Sequence, residues 1–406
     1  MSCRPRFAAG AVAAVLTAGV LAGRAEEGGE MKTAAVKGEE RVCIESVDRY
    51  RVCEPLFECV RVVLAQRGES YSADYLQGIS GAAFRIAGIC PCAPTCSAAM
   101  STEALVELLG YTAMRLILED KGATKVRDLA DALEANGKVL PAEATLATPA
   151  LRELRTELLA ITAAVKGEIR AGRAAIVWHA FTNAEYDVVA GFDDAKGTFL
   201  GRGSYAGGEA ELATAPQTRT LTAVYIGGPP GAILVGAKRG TFAARQAEIA
   251  ALQEAVRHAH SSKNQEKVGK EPWVMLEGLA AYDQWLRHFG DPAAKRGLGD
   301  AYCYGIYRST HRAAAGFLRE IAPRYPRAQA QLAVAAGHFE NEANTLRDAE
   351  GLLWWTSPEG PDAARNERVV GVLSRARAEY AAGMDAIIVA LTALGAGVGI
   401  SAPVPE

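Results

Sequence analysis

Apolar side chains between Pro55 and Gln66 recur at helical spacing, which predicts an amphipathic helix. Proline suits the first helical turn, where the backbone N–H has no partner, and Gly68 suits the position just beyond the end. Glu54 comes before the helix and favours the positive end of its dipole. The same periodicity predicts three more helices, the first interrupted by a glycine, over Thr102–Asp120, Val126–Leu133 and Ala150–Arg170.

Short apolar runs rich in β-branched residues follow, and they predict strands. Ala174–Trp178 and Tyr186–Phe192 are the two strongest, and a polar connection separates them. Further strands are predicted over Val42–Tyr50, Thr198–Gly203 and Thr220–Ile226. Because the strands follow one another closely, we expect an antiparallel sheet packed on the preceding helices, which is an α+β domain.

The chain beyond the sheet is helical in pattern. A glycine- and proline-rich segment, Gly227–Gly240, is expected to close the first domain. We therefore divide the folded chain into a first domain over residues 41–240 and an all-α domain over residues 241–398. The predicted helices of the second domain are Phe242–His258, Trp273–Phe289, Ala301–Ile321, Ala328–Leu353 and Asn366–Leu394.

The first 25 residues have the order of a secretory signal. Arg4 and Arg6 precede an apolar run, Ala8–Gly23, that is short for a membrane span, and small residues precede a cleavage point after Ala25. Residues 26–40 are polar and glycine-rich, which predicts a disordered leader. We expect an exported protein, periplasmic or extracellular, with no stable membrane span after cleavage. The alternative is an uncleaved amino-terminal anchor.

Composition narrows the choice of partner and chemistry. The chain has 406 residues and a formal net charge of −3, so it lacks the basic footprint of a nucleic-acid-binding protein. An odd number of cysteines remains after cleavage, and export favours disulfides. Cys90, Cys92 and Cys96 share one proline-rich loop, for which we expect a disulfide or structural thiols rather than the alternative, a zinc site. No metal or cofactor is predicted.

Three stretches together resemble a known family: DYLQGISGAAFR, GRAAIVWHAFTNAEYDVVAGFDD and VMLEGLAAYDQWL. They resemble the N-terminal domain of butirosin biosynthesis protein H and its bacterial relatives, a domain similar to papain-like, double-glycine peptidases. The resemblance covers about Ile44 to Ala390. It implies a papain-like first domain with helices packed on an antiparallel sheet.

The same resemblance implies that the catalytic pair is missing. In those peptidases the nucleophile opens the first helix, and counting back from Gly68 places that position at Pro55. Cys53 lies two positions away, and Cys59 matches a structural cysteine of the relatives. The position of their histidine falls on Glu185. A carboxylate beside a thiol would raise the pKa of the thiol.

The residues themselves offer a few catalytic candidates. Cys53 precedes a helix start, where a thiol is activated, whereas Cys59 lies on a face expected to be buried. His179 is the nearest imidazole and a candidate base, or else a strand-end histidine bonded to the backbone. Glu185 and Asp187 point to one side of a strand, as a site for a cation or amine or, preferably, as a solvated edge.

One further pair of residues could carry chemistry. His338 and Glu342 stand at i and i+4, which we interpret as a surface salt bridge rather than as part of a metal site.

The function that fits best is a secreted module that binds a small molecule or a peptide without catalysis. The alternative is a thiol-dependent acyltransferase or peptidase that uses Cys53 or Cys59, and a third hypothesis is a metalloprotein built on the three-cysteine loop.

Overall fold

The computed structural model shows an antiparallel sheet with helices on both of its faces, followed by a helical region. This confirms the α+β class. Cys53, the three-cysteine loop, the predicted signal and the predicted leader up to residue 39 lie outside the part of the chain that the structure describes. The described residues are 40–52, 54–86, 100–204, 211–226, 228–261, 266–268, 271–273, 276–348, 350–353 and 357–397.

Every pairing in the main sheet is antiparallel. Its order is β2–β7–β3–β4–β5–β6, and β1 pairs with the end of β4 that β3 does not reach. A separate hairpin joins β8 and β9. The strands are β1 Arg41–Cys43, β2 Tyr111–Ile117, β3 Ala175–Trp178, β4 Tyr186–Asp193, β5 Thr198–Arg202, β6 Ala213–Pro216, β7 Gly231–Lys238, β8 Glu266–Val268 and β9 Glu271–Trp273.

Side-chain caps begin several of the helices: Ser72 caps α2, Ser101 caps α3 and Thr148 caps α5, each accepting a hydrogen bond from a backbone N–H of the first turn. Among the described helices, none combines the length and the apolar character needed to cross a membrane. The helices are α1 Pro55–Gln66, α2 Ala73–Ile79, α3 Thr102–Leu108, α4 Val126–Ala135, α5 Pro149–Arg170, α6 Ala244–Ala259, α7 Gly278–Phe289, α8 Leu298–Ile321, α9 Gln329–Asp348, α10 Glu350–Leu353 and α11 Ala363–Ala393.

The predicted helix over Thr102–Asp120 is wrong in its second half. The helix ends at Leu108, and the chain reverses at Gly110 to form the edge strand β2. Gly110 has a φ of +87°, and a Cβ atom there would lie 2.5 Å from the carbonyl oxygen of Gly240. A helix cannot continue through a residue in this left-handed conformation, so the break is sharper than periodicity suggests.

The end of the first domain also differs from expectation. The predicted strand over Thr220–Ile226 is a 3₁₀ helix, Arg219–Tyr225, whereas the glycine-rich closing segment contains the central strand β7. At Gly231 a Cβ atom would lie 2.2 Å from the carbonyl oxygen of Leu116 on the neighbouring strand. Close approach of the two strands therefore selects glycine. Because glycine interrupts the alternation of apolar and polar residues, the sequence pattern does not predict this strand.

The sheet separates two packing layers. Ile176 and Val188 pack with α1 on one face, whereas Val177 and Val189 pack with α5 on the other. The layer on the α1 face continues without interruption into buried residues of α8, α9 and α11, such as Phe317. One core therefore runs across the predicted boundary between residues 240 and 241.

Candidate functional site

The amino end of α1 is buried and is capped by Glu54. The Glu54 carboxylate accepts hydrogen bonds at 3.2 Å from the backbone N–H groups of Leu56 and Phe57 and from Nε2 of Gln77. Burial raises the pKa of Glu54 to about 7, although these three donors favour the charged form. Cys53 comes directly before Glu54 and lies outside the described residues. The described chemistry at this helix start is therefore a carboxyl group that titrates near neutral pH.

Cys59 lies one turn further along α1 and has no exposed surface. Its thiol donates a hydrogen bond to the carbonyl oxygen of Leu56 at 3.3 Å. Burial raises the pKa of the Cys59 thiol well above its usual range, and the charges of Glu54 and Glu58 act in the same direction. A thiol held in its protonated form is a poor nucleophile. Cys59 is buried as the helix pattern predicts, and its surroundings suit packing rather than reaction.

Aromatic side chains stand between α1 and the strands β3 and β4. Tyr186 contacts Trp178 edge-on with ring centroids 4.8 Å apart, and the Tyr50 hydroxyl donates to the Tyr186 carbonyl oxygen at 2.7 Å. Arg115 pairs with Glu103 and also donates to the Tyr186 hydroxyl at 3.4 Å. Burial raises the pKa of Tyr186, so the phenol stays neutral at physiological pH. The strand residue that faces α1 is thus a neutral phenol.

His179 lies beside the 3₁₀ helix, whose Leu221 belongs to a buried cluster with Leu154 and Leu158 of α5. Its Nδ1 accepts a hydrogen bond from the N–H of Ala184 at 2.8 Å, and its Nε2 lies 2.8 Å from Oγ1 of Thr222. Burial lowers the pKa of His179 to about 4, and the charge of Arg219 adds to this effect. The ring is therefore neutral and both of its nitrogens are engaged. Its hydrogen bonds stabilise the connection between β3 and β4, as expected of a strand-end histidine.

Glu185 and Asp187 are both buried, so the expected solvated edge is wrong. Asp187 pairs with Val177 across the strands and lies on the α5 face, where it accepts hydrogen bonds from the N–H groups of Phe181 at 2.6 Å and Thr182 at 2.8 Å. Burial raises the pKa of Asp187 to about 6. Glu185 directly precedes β4, and its charge acts on the buried Tyr50 hydroxyl, whose pKa burial raises well above its usual range.

The candidate base His179 and the described candidate thiol Cys59 therefore bind different partners and not each other. Protein-family models, curated proteins and solved structures contain no match to this chain. Within the described ranges, no three His, Cys, Asp or Glu side chains are placed to hold a metal ion. Cys43 and Cys59 are free thiols, and the loop with Cys90, Cys92 and Cys96 lies outside the described residues.

The predicted surface pair of His338 and Glu342 is wrong. His338 pairs instead with Glu379, with Nδ1 2.8 Å from the carboxylate, and both side chains are about one-third exposed. Glu342 is fully buried. Its carboxylate lies 2.7 Å from Nδ1 of His311 and accepts a hydrogen bond from the Tyr282 hydroxyl. Helical spacing indicated which residues share a face, but the neighbouring helices decided which of them is buried.

His311 links the helical region to the DYLQGISGAAFR stretch. Its ring lies between those of Tyr307 and Tyr380, with centroids 5.7 and 5.5 Å away, and its Nε2 donates to the Arg85 carbonyl oxygen at 3.1 Å. The Tyr380 hydroxyl donates to the Phe84 carbonyl oxygen at 2.9 Å. The end of this stretch, Phe84 and Arg85, is therefore bonded to α8 and α11 of the helical region.

Proposed function

We propose that this protein is an exported relative of the N-terminal domain of butirosin biosynthesis protein H, with a papain-like first domain. It binds a small molecule or a peptide and does not act through a cysteine–histidine pair. The antiparallel sheet, with a proline-started helix on one face, supports the papain-like assignment. Mass analysis of native protein tests export, since the mature chain should begin near Glu26. An intact Met1 on cytoplasmic protein would remove this part of the proposal.

One observation carries the non-catalytic reading: both ring nitrogens of His179 are engaged, by the Ala184 N–H and by Thr222, whereas the Cys59 thiol donates to the Leu56 carbonyl oxygen. A thiol nucleophile needs a base within hydrogen-bond reach, about 3 Å away. The strand β4 instead presents Tyr186 towards α1, and a neutral phenol neither accepts the proton of a thiol nor stabilises a thiolate as an imidazolium does.

One observation favours the alternative of an acyltransferase or peptidase that uses Cys53. Glu54, the next residue, has a pKa of about 7, which is the range of a general base. The carboxylate form of Glu54 would also raise the pKa of a neighbouring thiol by charge repulsion. General-base action by Glu54 would speed the reaction of the Cys53 thiol, whereas charge repulsion would slow it. A measurement of thiol reactivity therefore distinguishes the two effects.

The test is the rate of iodoacetamide labelling against pH, resolved by peptide mapping. It uses a Cys43→Ser background, because Cys43 is an exposed free thiol that would label in any case. We expect no cysteine with a labelling midpoint well below that of free cysteine, about 8.5. A fast thiol with a low midpoint that is lost in Cys53→Ser or Cys59→Ser, and is weakened in His179→Ala, would establish the thiol enzyme instead.

A further inference from the structure

A cavity of about 400 Å³ opens where α2, the start of α6 and the residues after α8 meet. This volume is in the range of pockets for small organic ligands, about 300–1,000 Å³. None of its lining residues belongs to α1. Both predicted domains contribute to the lining, through Tyr71 and Tyr75 on one side and Arg324 and Tyr325 on the other. A ligand here would contact both parts of the chain at once.

The walls of the cavity are aromatic. The rings of Tyr71 and Tyr75 lie parallel with centroids 6.1 Å apart, and Phe242 meets both edge-on at 6.1 and 6.3 Å. Tyr75 is buried and belongs to the floor, whereas Tyr71 and Phe242 are only partly buried and border the opening. Flat apolar walls of this kind favour a flat ring, which can stack or meet them at its edge.

The other charged groups of the lining already have partners. Glu248 is buried and accepts hydrogen bonds from the hydroxyls of Tyr75 at 2.8 Å and Tyr325 at 2.7 Å, and Arg324 also pairs with it. Glu320 accepts a hydrogen bond from a neighbouring serine and lies 3.6 Å from Arg324. The Arg324 guanidinium thus pairs with two carboxylates. The negative charges of Glu248 and Glu320 disfavour a ligand that carries more than one negative charge.

Arg245 is the charged group of the lining that is left for a ligand. It is exposed, and its guanidinium lies over the Tyr325 ring, 5.5 Å from the centroid. In the described part of the chain it has no carboxylate partner. Contact with the ring orients the flat guanidinium without using its N–H groups, which remain able to bind a carboxylate in a bidentate manner.

We propose that this cavity binds an aromatic monocarboxylate, with its ring against Tyr71 and Phe242 and its carboxylate on Arg245. The inference deepens the proposed function and rests on it, since it names the class of small molecule that the module binds. The aromatic walls select the ring and Arg245 selects the negative charge. The carboxylates of Glu248 and Glu320 restrict that charge to one.

The experiment is calorimetric titration of the full mature protein with indole-3-acetate as the probe. Indole-3-acetamide has the same ring without the charge, and cyclohexylacetate has the charge without the aromatic ring. The variants are Arg245→Ala, Arg245→Lys and Tyr71→Leu, and the matched control is Arg287→Ala, which removes an exposed arginine from α7. Circular dichroism checks that each variant is folded.

We expect indole-3-acetate to bind more tightly than either analogue. Arg245→Ala should weaken its binding about tenfold or more, Arg245→Lys should weaken it less, and Arg287→Ala should leave it unchanged. Tyr71→Leu should reduce the preference for indole-3-acetate over cyclohexylacetate. Equal affinity for the acid and the amide, no effect of Arg245→Ala, or no binding of any probe would each overturn the inference. The proposed function fails separately, by the appearance of a fast, low-pKa thiol.

Discussion

Replacing Gly78 with alanine should destabilise the protein, because the helical region packs directly on this glycine. A Cβ atom on Gly78 of α2 would lie 2.1, 2.2 and 2.6 Å from three ring carbons of Phe317 in α8. Phe317 has no exposed surface, so its ring cannot turn away into solvent. The substitution therefore forces α2 and α8 apart or bends the Phe317 side chain from its rotamer.

The expected size of the effect follows from two opposing terms. Overpacking a close-packed core lowers the free energy of unfolding by about 1–3 kcal/mol. Replacing a helical glycine with alanine raises it by about 0.5–1 kcal/mol. Taking the middle of each range, Gly78→Ala should lower the free energy of unfolding by about 1 kcal/mol. Gly167→Ala is the matched control, because Gly167 lies within α5 and has no atom within 4 Å of an added Cβ. It should raise stability by about 0.5–1 kcal/mol.

Denaturation midpoints in urea, followed by circular dichroism, measure both variants. Repeating Gly78→Ala in a Phe317→Ala background tests whether the cost comes from the ring, since alanine has no atom beyond Cβ and therefore lacks all three carbons that clash. The cost should then become clearly smaller, and the difference is the coupling energy of the two positions. If Gly78→Ala is as stable as Gly167→Ala, the close packing of α2 on α8 is refuted.

Two further predictions concern buried charge. Because burial raises the pKa of Glu54 from 4.5 to about 7, the unfolded chain loses its proton first as pH rises, and stability falls between these values. Glu54→Gln should reduce that fall by up to about 3 kcal/mol, measured as unfolding free energies at pH 4.5 and pH 8, and an unchanged profile would contradict the assignment. His311→Phe keeps the stacked ring but deprives buried Glu342 of a donor, and should cost about 3–5 kcal/mol. His338→Ala, which breaks the partly exposed pair with Glu379, should cost less than about 1 kcal/mol in the same denaturation assay, and equal losses would refute the distinction.

Local signals in the sequence determined most of the helices and several strands. Proline, glycine and apolar spacing marked α1 from Pro55 to Gln66, and Gly68 follows it with a φ of +84°, as a terminating glycine should. The strands β3, β4 and β5 were also readable, because their apolar runs are short and clearly bounded. In these elements the interactions that decide the conformation are local.

The strands β2 and β7 could not be predicted from the sequence, because their strand conformation depends on pairing. Each is stabilised by the other, and residues such as Gly231 are selected by the approach of a neighbouring backbone rather than by a local preference. The predicted helix through Gly110 failed for the same reason, since the sharp turn there brings β2 alongside β7.

The candidate site depended even more on tertiary structure. The sequence supplied the side chains but not their partners. Only the tertiary structure engaged both ring nitrogens of His179 with Ala184 and Thr222 and packed Tyr186 against the core that contains α1. Successive strand residues point to opposite faces, so position along the chain does not fix proximity across the sheet.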